Sequence, residues 1–233
     1  MDLGLNKGEL VAIVGVNGIG KSTLLRTLGN VQSKLSGEIY LKEKPLDSYH
    51  SNQLATEISV VLTEPIASKN LTVLELIRLG RQPYTNWIGS LSKIDKEKII
   101  RAIEMVGLKE LEHKKCYELS DGQFQKVMIA RALAQDTSII LLDEPTTHLD
   151  LYHKAQILKL LQQIAHETKK TIVFTTHEIE LGIQLADKML VMENDKNSFG
   201  APKQLIDEGK FNTLFPTDTI FFDATSGSFK IKK

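Results

Sequence analysis

The chain has 233 residues, 42% apolar and 25% charged, enough for one large domain or two modest ones around a substantial core. Lys plus Arg number 29 and Asp plus Glu number 29, so no summed field draws the molecule to DNA, RNA or an anionic membrane, and no nucleic-acid partner is expected. Cys116 is the only cysteine, no secretory pattern opens the sequence, and apolar runs such as Ile139–Leu142 fall far short of the roughly 20 residues that cross a bilayer, which predicts a cytoplasmic protein that meets a membrane only through a partner.

Along the chain, short β-branched runs alternate with helical patterns, which predicts an α/β fold with a largely parallel sheet. Strands are expected at residues 9–14, 58–62, 138–142, 171–176 and 188–192. The runs IILLD and TIVFTT are too uniformly apolar for an edge with one wet face, so they belong in the middle of a covered sheet. GEIYLKEKPL, from Gly37, reads as an antiparallel excursion. Across residues 71–117 the strand signal gives way to helical spacing in LTVLELIRLGR and DKEKIIRAIEMVG, where Ile99, Ile103 and Val106 share a face. The expectation is a single domain over 1–233, with a helical subdomain at 71–117 inserted into a core built from 1–70 and 118–233. TIFFDATSGSFKI near the end carries a hairpin signal.

GVNGIGKST, residues 15–23, fits the pattern G-x-x-x-x-G-K-[ST] and lies between an apolar strand and the helical LLRTLG, which is the context that pattern requires. It makes Gly15, Asn17, Gly18, Gly20, Lys21, Ser22 and Thr23 the expected nucleotide-binding residues. Gly18 and Gly20 let successive N–H groups curl around a β-phosphate, Lys21 neutralises the β- and γ-phosphates, and the Ser22 hydroxyl ligates Mg²⁺. SIILLDEP then delivers Asp143 to the carboxyl edge of the sheet, where it is expected to help hold Mg²⁺. Glu144 beside it reads as a general base that polarises the attacking water, against the blander reading of a solvated acid at a strand end. His177 closes TIVFTT at the same edge, placed to reach the γ-phosphate. In LSDGQ, Ser120 and Gln123 form an S-x-x-Q capping box, which by itself predicts only a well-capped helix with Val127, Ala130 and Ala134 buried.

With LSDGQ in place, the sequence strongly resembles the ATP-binding-cassette (ABC) ATPases, in the order GVNGIGKST, residues 71–117, LSDGQ, IILLDE, THLD and His177. The resemblance covers almost the whole chain. It implies an α/β P-loop NTPase cassette with a RecA-like core sheet, an inserted helical subdomain and a small antiparallel β part. It also implies that a second copy of the chain packs head to tail, so that Ser120, Gly122 and Gln123 cap the γ-phosphate of the partner's ATP and Asp150 lies at the dimer interface. Asp121, whose charge complements the helix dipole but would repel a phosphate, is expected to face away from the nucleotide.

LTVLELIRLGRQPYTNW and the tail LFPTDTIFFDATSGSF look like the ATPase subunits of importers for iron-siderophore, haem and cobalamin complexes, iron-siderophore uptake foremost. Such subunits sit on the cytoplasmic side of a membrane permease, in this chain with a docking groove around residues 63–71 and 82–87. Two departures stand out. The family's Gln after ISVVL is replaced by Thr63, followed by Glu64, whose carboxylate is an expected Mg²⁺ ligand. No aromatic residue precedes Gly15, which implies that the first strand or two of the cassette is missing, with a weaker grip on adenine and an incompletely covered sheet edge. The rival readings are a soluble ABC-type ATPase and a regulatory module that binds ATP without turning it over.

Overall fold

The computed structural model describes residues 2–63, 70–194, 196–216 and 218–232. β1 (Leu10–Gly15) is buried along its whole length. Its side chains alternate between two apolar layers, with Leu10, Ala12 and Val14 in one and Val11 and Ile13 in the other. Then come α1 (Lys21–Leu28), the short pair β2 (Tyr40–Leu41) and β3 (Lys44–Pro45), α2 (Ser51–Leu54) and β4 (Ile58–Val61). Three helices follow without a strand among the described residues: α3 (Val73–Arg78), α4 (Lys93–Met105) and α5 (Asp121–Ala134). The chain returns to the sheet through β5 (Ile139–Leu142), α6 (Leu151–Thr168), β6 (Thr171–Thr175), α7 (Ile179–Leu185), β7 (Lys188–Met192) and β8 (Asn197–Gly200). It closes with α8 (Pro202–Asp207) and the hairpin β9 (Ile220–Asp223) and β10 (Ser228–Ile231).

Among the described residues, one sheet has the order β4-β5-β6-β1-β7-β8, parallel except for the antiparallel β7–β8 pair. The alternation of β1 recurs in β5, β6 and β7. Ile140, Leu142, Ile172, Phe174, Met189 and Val191 join the layer under α5 and α6, while Leu141, Val173 and Leu190 join the layer containing Leu25 of α1 and Leu54 of α2. Both faces are therefore covered, which explains why IILLD and TIVFTT carry no polar face and why they lie inside the sheet. GEIYLKEKPL forms the small β2–β3 ladder with Tyr40 opposite Pro45. β8 is the element that the sequence pattern does not announce, because NSFG has neither alternation nor an apolar run. No helix among the described residues is long and apolar enough to cross a membrane.

The segment read as LTVLELIRLGR does not run as one helix. α3 starts at a capping box, where the Thr72 hydroxyl accepts from Glu75 N–H and Glu75 accepts from Thr72 N–H. It then tightens into a 3₁₀ turn over Leu79–Tyr84. Gly80 is the reason: a Cβ there would lie 2.3 Å from the Arg131 carbonyl oxygen, so the turn presses directly on α5, and Pro83 cannot supply an N–H to continue a helix. α4 opens on a second capping box, Ser92 with Asp95, and buries Ile99, Ala102 and Ile103. Arg81 ties these pieces together. Its Nη2 and Nε lie 2.8 Å from Asp95 Oδ1, its Nη1 donates to the Ala134 carbonyl at 2.7 Å, and both side chains are about 95% buried.

At the other end, the rings of Phe211, Phe222 and Phe229 meet in sequence with 5.0 Å between centroids, the first pair tilted and the second edge to face, and Phe215 meets Phe229 edge to face at the same spacing. Phe229 N–H donates to Glu180 of α7 at 2.9 Å. The terminal hairpin is thus pinned to the helix that directly follows His177.

Candidate functional site

Three neighbouring strands, β5, β6 and β1, end at the same edge of the sheet, and each releases a polar side chain there. β1 runs into the loop of residues 15–23. A Cβ at Gly15 would stand 2.7 Å from the Met192 carbonyl oxygen, and Gly20, with φ 102°, takes a left-handed turn at the N-terminus of α1. Asn17, Gly18, Gly20, Lys21, Ser22 and Thr23 line a cleft of about 270 Å³ together with Glu144 and His177. The first turn of α1 aims its unpaired N–H groups at this space, a place suited to an anion.

Lys21 is nearly buried, its ammonium donating to the carbonyls of Gly15 at 2.9 Å and Val16 at 3.2 Å. Burial pushes its pKa below the usual lysine value, and the carboxylates of Glu144 and Asp143 pull the other way. Its third neighbour is His177 Nδ1 at 3.3 Å. Since an ammonium can only donate, Nδ1 accepts and His177 carries its proton on Nε2, where it pairs with Glu144 Oε1. Glu144 Oε2 accepts from the Thr147 hydroxyl at 3.1 Å. The backbone of Glu144 is left-handed, φ 48°, and this kink turns the carboxylate out of the strand line toward the cleft.

Asp143 is 4% exposed. Its Oδ1 accepts from the hydroxyls of Ser22 and Thr175, each at 2.7 Å. A hydroxyl and a carboxylate facing each other beside a phosphate-sized cleft form the hard-oxygen donor set that Mg²⁺ takes along with phosphate oxygens. Among the described residues there is no cluster of three or more His, Cys, Asp or Glu that could hold a metal unaided. Thr63 donates its hydroxyl to the Asp143 carbonyl at 3.2 Å. Glu64 lies outside the described residues.

The LSDGQ residues do not line this cleft. Ser120 caps α5: its Oγ accepts from Gln123 N–H at 3.3 Å, and Gln123 Oε1 accepts from Ser120 N–H at 3.1 Å. Asp121 is exposed in the first turn. Val127, Ala130 and Ala134 are fully buried. Asp150 caps α6, its Oδ1 accepting from His153 N–H at 2.9 Å while Oδ2 meets His153 Nδ1 at 2.8 Å. Two residues escaped the reading of the sequence: Thr175, because a hydroxyl in TIVFTT looks like ordinary β-branched filling, and His153, which has no motif around it.

A glycine-rich loop leaving a buried parallel strand for a helix, with a hydroxyl set against a carboxylate from a nearby strand, defines a P-loop nucleoside triphosphatase. The family model described as ABC transporter matches residues 1–147. An uncharacterized ABC transporter ATP-binding protein of Methanocaldococcus jannaschii is 39% identical over 233 residues, 100% of this chain and 80% of its own length. A petrobactin import ATP-binding protein of Bacillus anthracis is 37% identical, spanning 92% of this chain and 79% of its own. This chain belongs to the ABC transporter family, whose ATP-binding members hydrolyse ATP.

Among solved structures, an inward-facing ABC transporter described as being of metal-chelate type superposes with TM-score 0.81 at 29% identity, over 99% of this chain and 87% of that one. An ATP-binding cassette in a dimeric post-hydrolysis state, bound to ADP and phosphate, superposes with TM-score 0.70 at 29% identity, over 84% and 87%. Cassettes of this fold therefore form dimers and hold nucleotide.

Proposed function

We propose that the chain is the ATP-hydrolysing subunit of an importer for iron-siderophore complexes, working as a head-to-tail pair on the cytoplasmic face of a membrane, which it reaches through a permease. The observation that carries the ATPase part is the convergence of Lys21, Ser22, Glu144 and His177 on one cleft at the carboxyl edge of the sheet, with buried Asp143 bonded to Ser22 behind it. The iron-siderophore part leans on the petrobactin import relative.

In this reading Gly15, Asn17, Gly18, Gly20 and Thr23 shape the loop around the phosphates, and Lys21 exchanges its backbone carbonyls for phosphate oxygens. Ser22 and Asp143 hold Mg²⁺, which when bound neutralises phosphate charge. Glu144 receives a proton from the attacking water, and His177 keeps Glu144 aimed and turns toward the γ-phosphate once Lys21 is engaged. Water adds to the γ-phosphorus, the bond to the bridging oxygen breaks, and ADP and phosphate leave. Ser120, Gly122, Gln123 and Asp150 lie away from their own chain's cleft, which supports assigning them to the partner's ATP. Residues 71–117 act as the helical subdomain inserted into the core of 1–70 and 118–233, and the bared Trp87 and Tyr84 receive the permease.

Phosphate release by the permease complex in liposomes, with Glu144→Gln beside the wild type, tests this directly. The variant is expected to bind ATP and dimerise but to lose turnover by at least about 10²-fold. Equal residual rates in both would reassign the chain as an ATP-binding regulatory module, and uptake of ferric hydroxamates unaffected by the variant would remove the iron assignment.

A further inference from the structure

We propose that Thr175 is a positioning residue that sets Asp143 and Glu144 together for hydrolysis, a role that rests on the reading of those two carboxylates given above. Thr175 ends β6 and is fully buried. Its Oγ1 donates to Asp143 Oδ1 at 2.7 Å and accepts from Glu144 N–H at 2.8 Å. One hydroxyl thus gives its proton to the first carboxylate and its lone pair to the peptide that carries the second.

The geometry explains why that bond matters. Glu144 sits at φ 48°, a conformation that a residue with a Cβ adopts only when its surroundings impose it. Its N–H is the group nearest the kink, and Thr175 fixes it. Without that acceptor the donor would be left unpaired beside a strained backbone, and the peptide would relax, carrying the Glu144 carboxylate off His177 and Thr147. On the other side, Asp143 Oδ1 shares its lone pairs between Thr175 and Ser22. Thr175 therefore holds the carboxylate in place when Ser22 swings toward a ligand. Packing alone does not call for this hydroxyl: β6 presents Ile172, Val173 and Phe174 beside it, and a valine would fill the same volume. A buried hydroxyl in such a strand is tolerated only with partners, and here both partners belong to the site.

Thr175→Val removes both bonds and keeps the shape, and Thr175→Ser keeps both bonds. The expected result is a kcat about 10- to 100-fold lower in Thr175→Val, as when a group supporting a metal ligand is lost, with KM for ATP within about twofold of the wild type. The gain in ATP affinity on adding Mg²⁺, measured by calorimetry in a Glu144→Gln background where nothing is hydrolysed, is expected to shrink in Thr175→Val. Thr175→Ser should restore both quantities. Wild-type kcat and Mg²⁺ dependence in Thr175→Val would overturn the proposal, as would a loss that follows the melting temperature and is not rescued by serine. A wild type no faster than Glu144→Gln would instead sink the reading of Glu144, and the calorimetric comparison would still decide whether Thr175 supports Asp143.

Discussion

The His153 ring lies directly against Gly122: a Cβ at Gly122 would come within 3.3 Å of His153 Cδ2, while Asp150 holds the ring from its Nδ1 side. The N-termini of α5 and α6, both assigned to the partner's nucleotide, are thus in contact through one half-exposed imidazole. Gly122→Ala crowds that ring by a few tenths of an ångström, which an exposed side chain can yield, and alanine in a helix is favoured over glycine by about 0.5–1 kcal/mol. The expected outcome is an unchanged or higher melting temperature in scanning calorimetry, together with ATP turnover at least about tenfold lower, because the amide of Gly122 can no longer approach a phosphate closely. Full turnover would remove Gly122 from the nucleotide site.

His177 bridges Glu144 and Lys21. Replacing it with alanine should lower kcat by about 10²–10⁴-fold while ATP affinity, carried by the loop of residues 15–23, changes little. Single-turnover phosphate release beside equilibrium nucleotide binding separates the two, and a loss confined to binding would contradict the assignment.

The Arg81–Asp95 pair gives a pH signature. Burial pushes the Asp95 carboxyl upward, but the bonds from Ser92 and the Arg81 guanidinium outweigh it and hold the group below the usual carboxylate range. Because the folded value lies below the unfolded one, the pair contributes stability above the unfolded pKa of about 3.9, and that stability is lost as pH falls through the depressed folded value. Asp95→Asn leaves the buried guanidinium without its counter-charge and is expected to cost about 3–5 kcal/mol at neutral pH in urea unfolding. The gap between variant and wild type should narrow as the pH drops below about 4; a constant gap would mean the carboxyl is not held low.

Trp87 is 94% exposed and Ile88 beside it 67%. Trp87→Ala should leave stability within about 0.5 kcal/mol, yet abolish stimulation of ATP turnover by the permease. Undiminished stimulation would move the docking surface elsewhere.

The phosphate loop, the buried strands and the LSDGQ cap were legible because each depends on residues close in sequence: a glycine where the backbone must turn, a side-chain oxygen three residues from the N–H it accepts. What was not legible depends on register between strands distant in the chain. Thr175 meets Asp143 only because β6 lies beside β5 with Leu142 opposite Phe174, and Arg81 meets Ala134 only because Gly80 lets a turn press on α5. The break of LTVLELIRLGR into two pieces belongs with these in part, since Pro83 can be read in the sequence but the press of the Gly80 turn on α5 cannot.

The phenylalanine ladder at the end of the chain has a reach beyond packing. Through the bond from Phe229 to Glu180 it steadies α7, and α7 begins two residues after His177. The β9–β10 hairpin therefore acts as a counterweight for a side chain that lines the cleft, and loosening it would be felt as slack in His177.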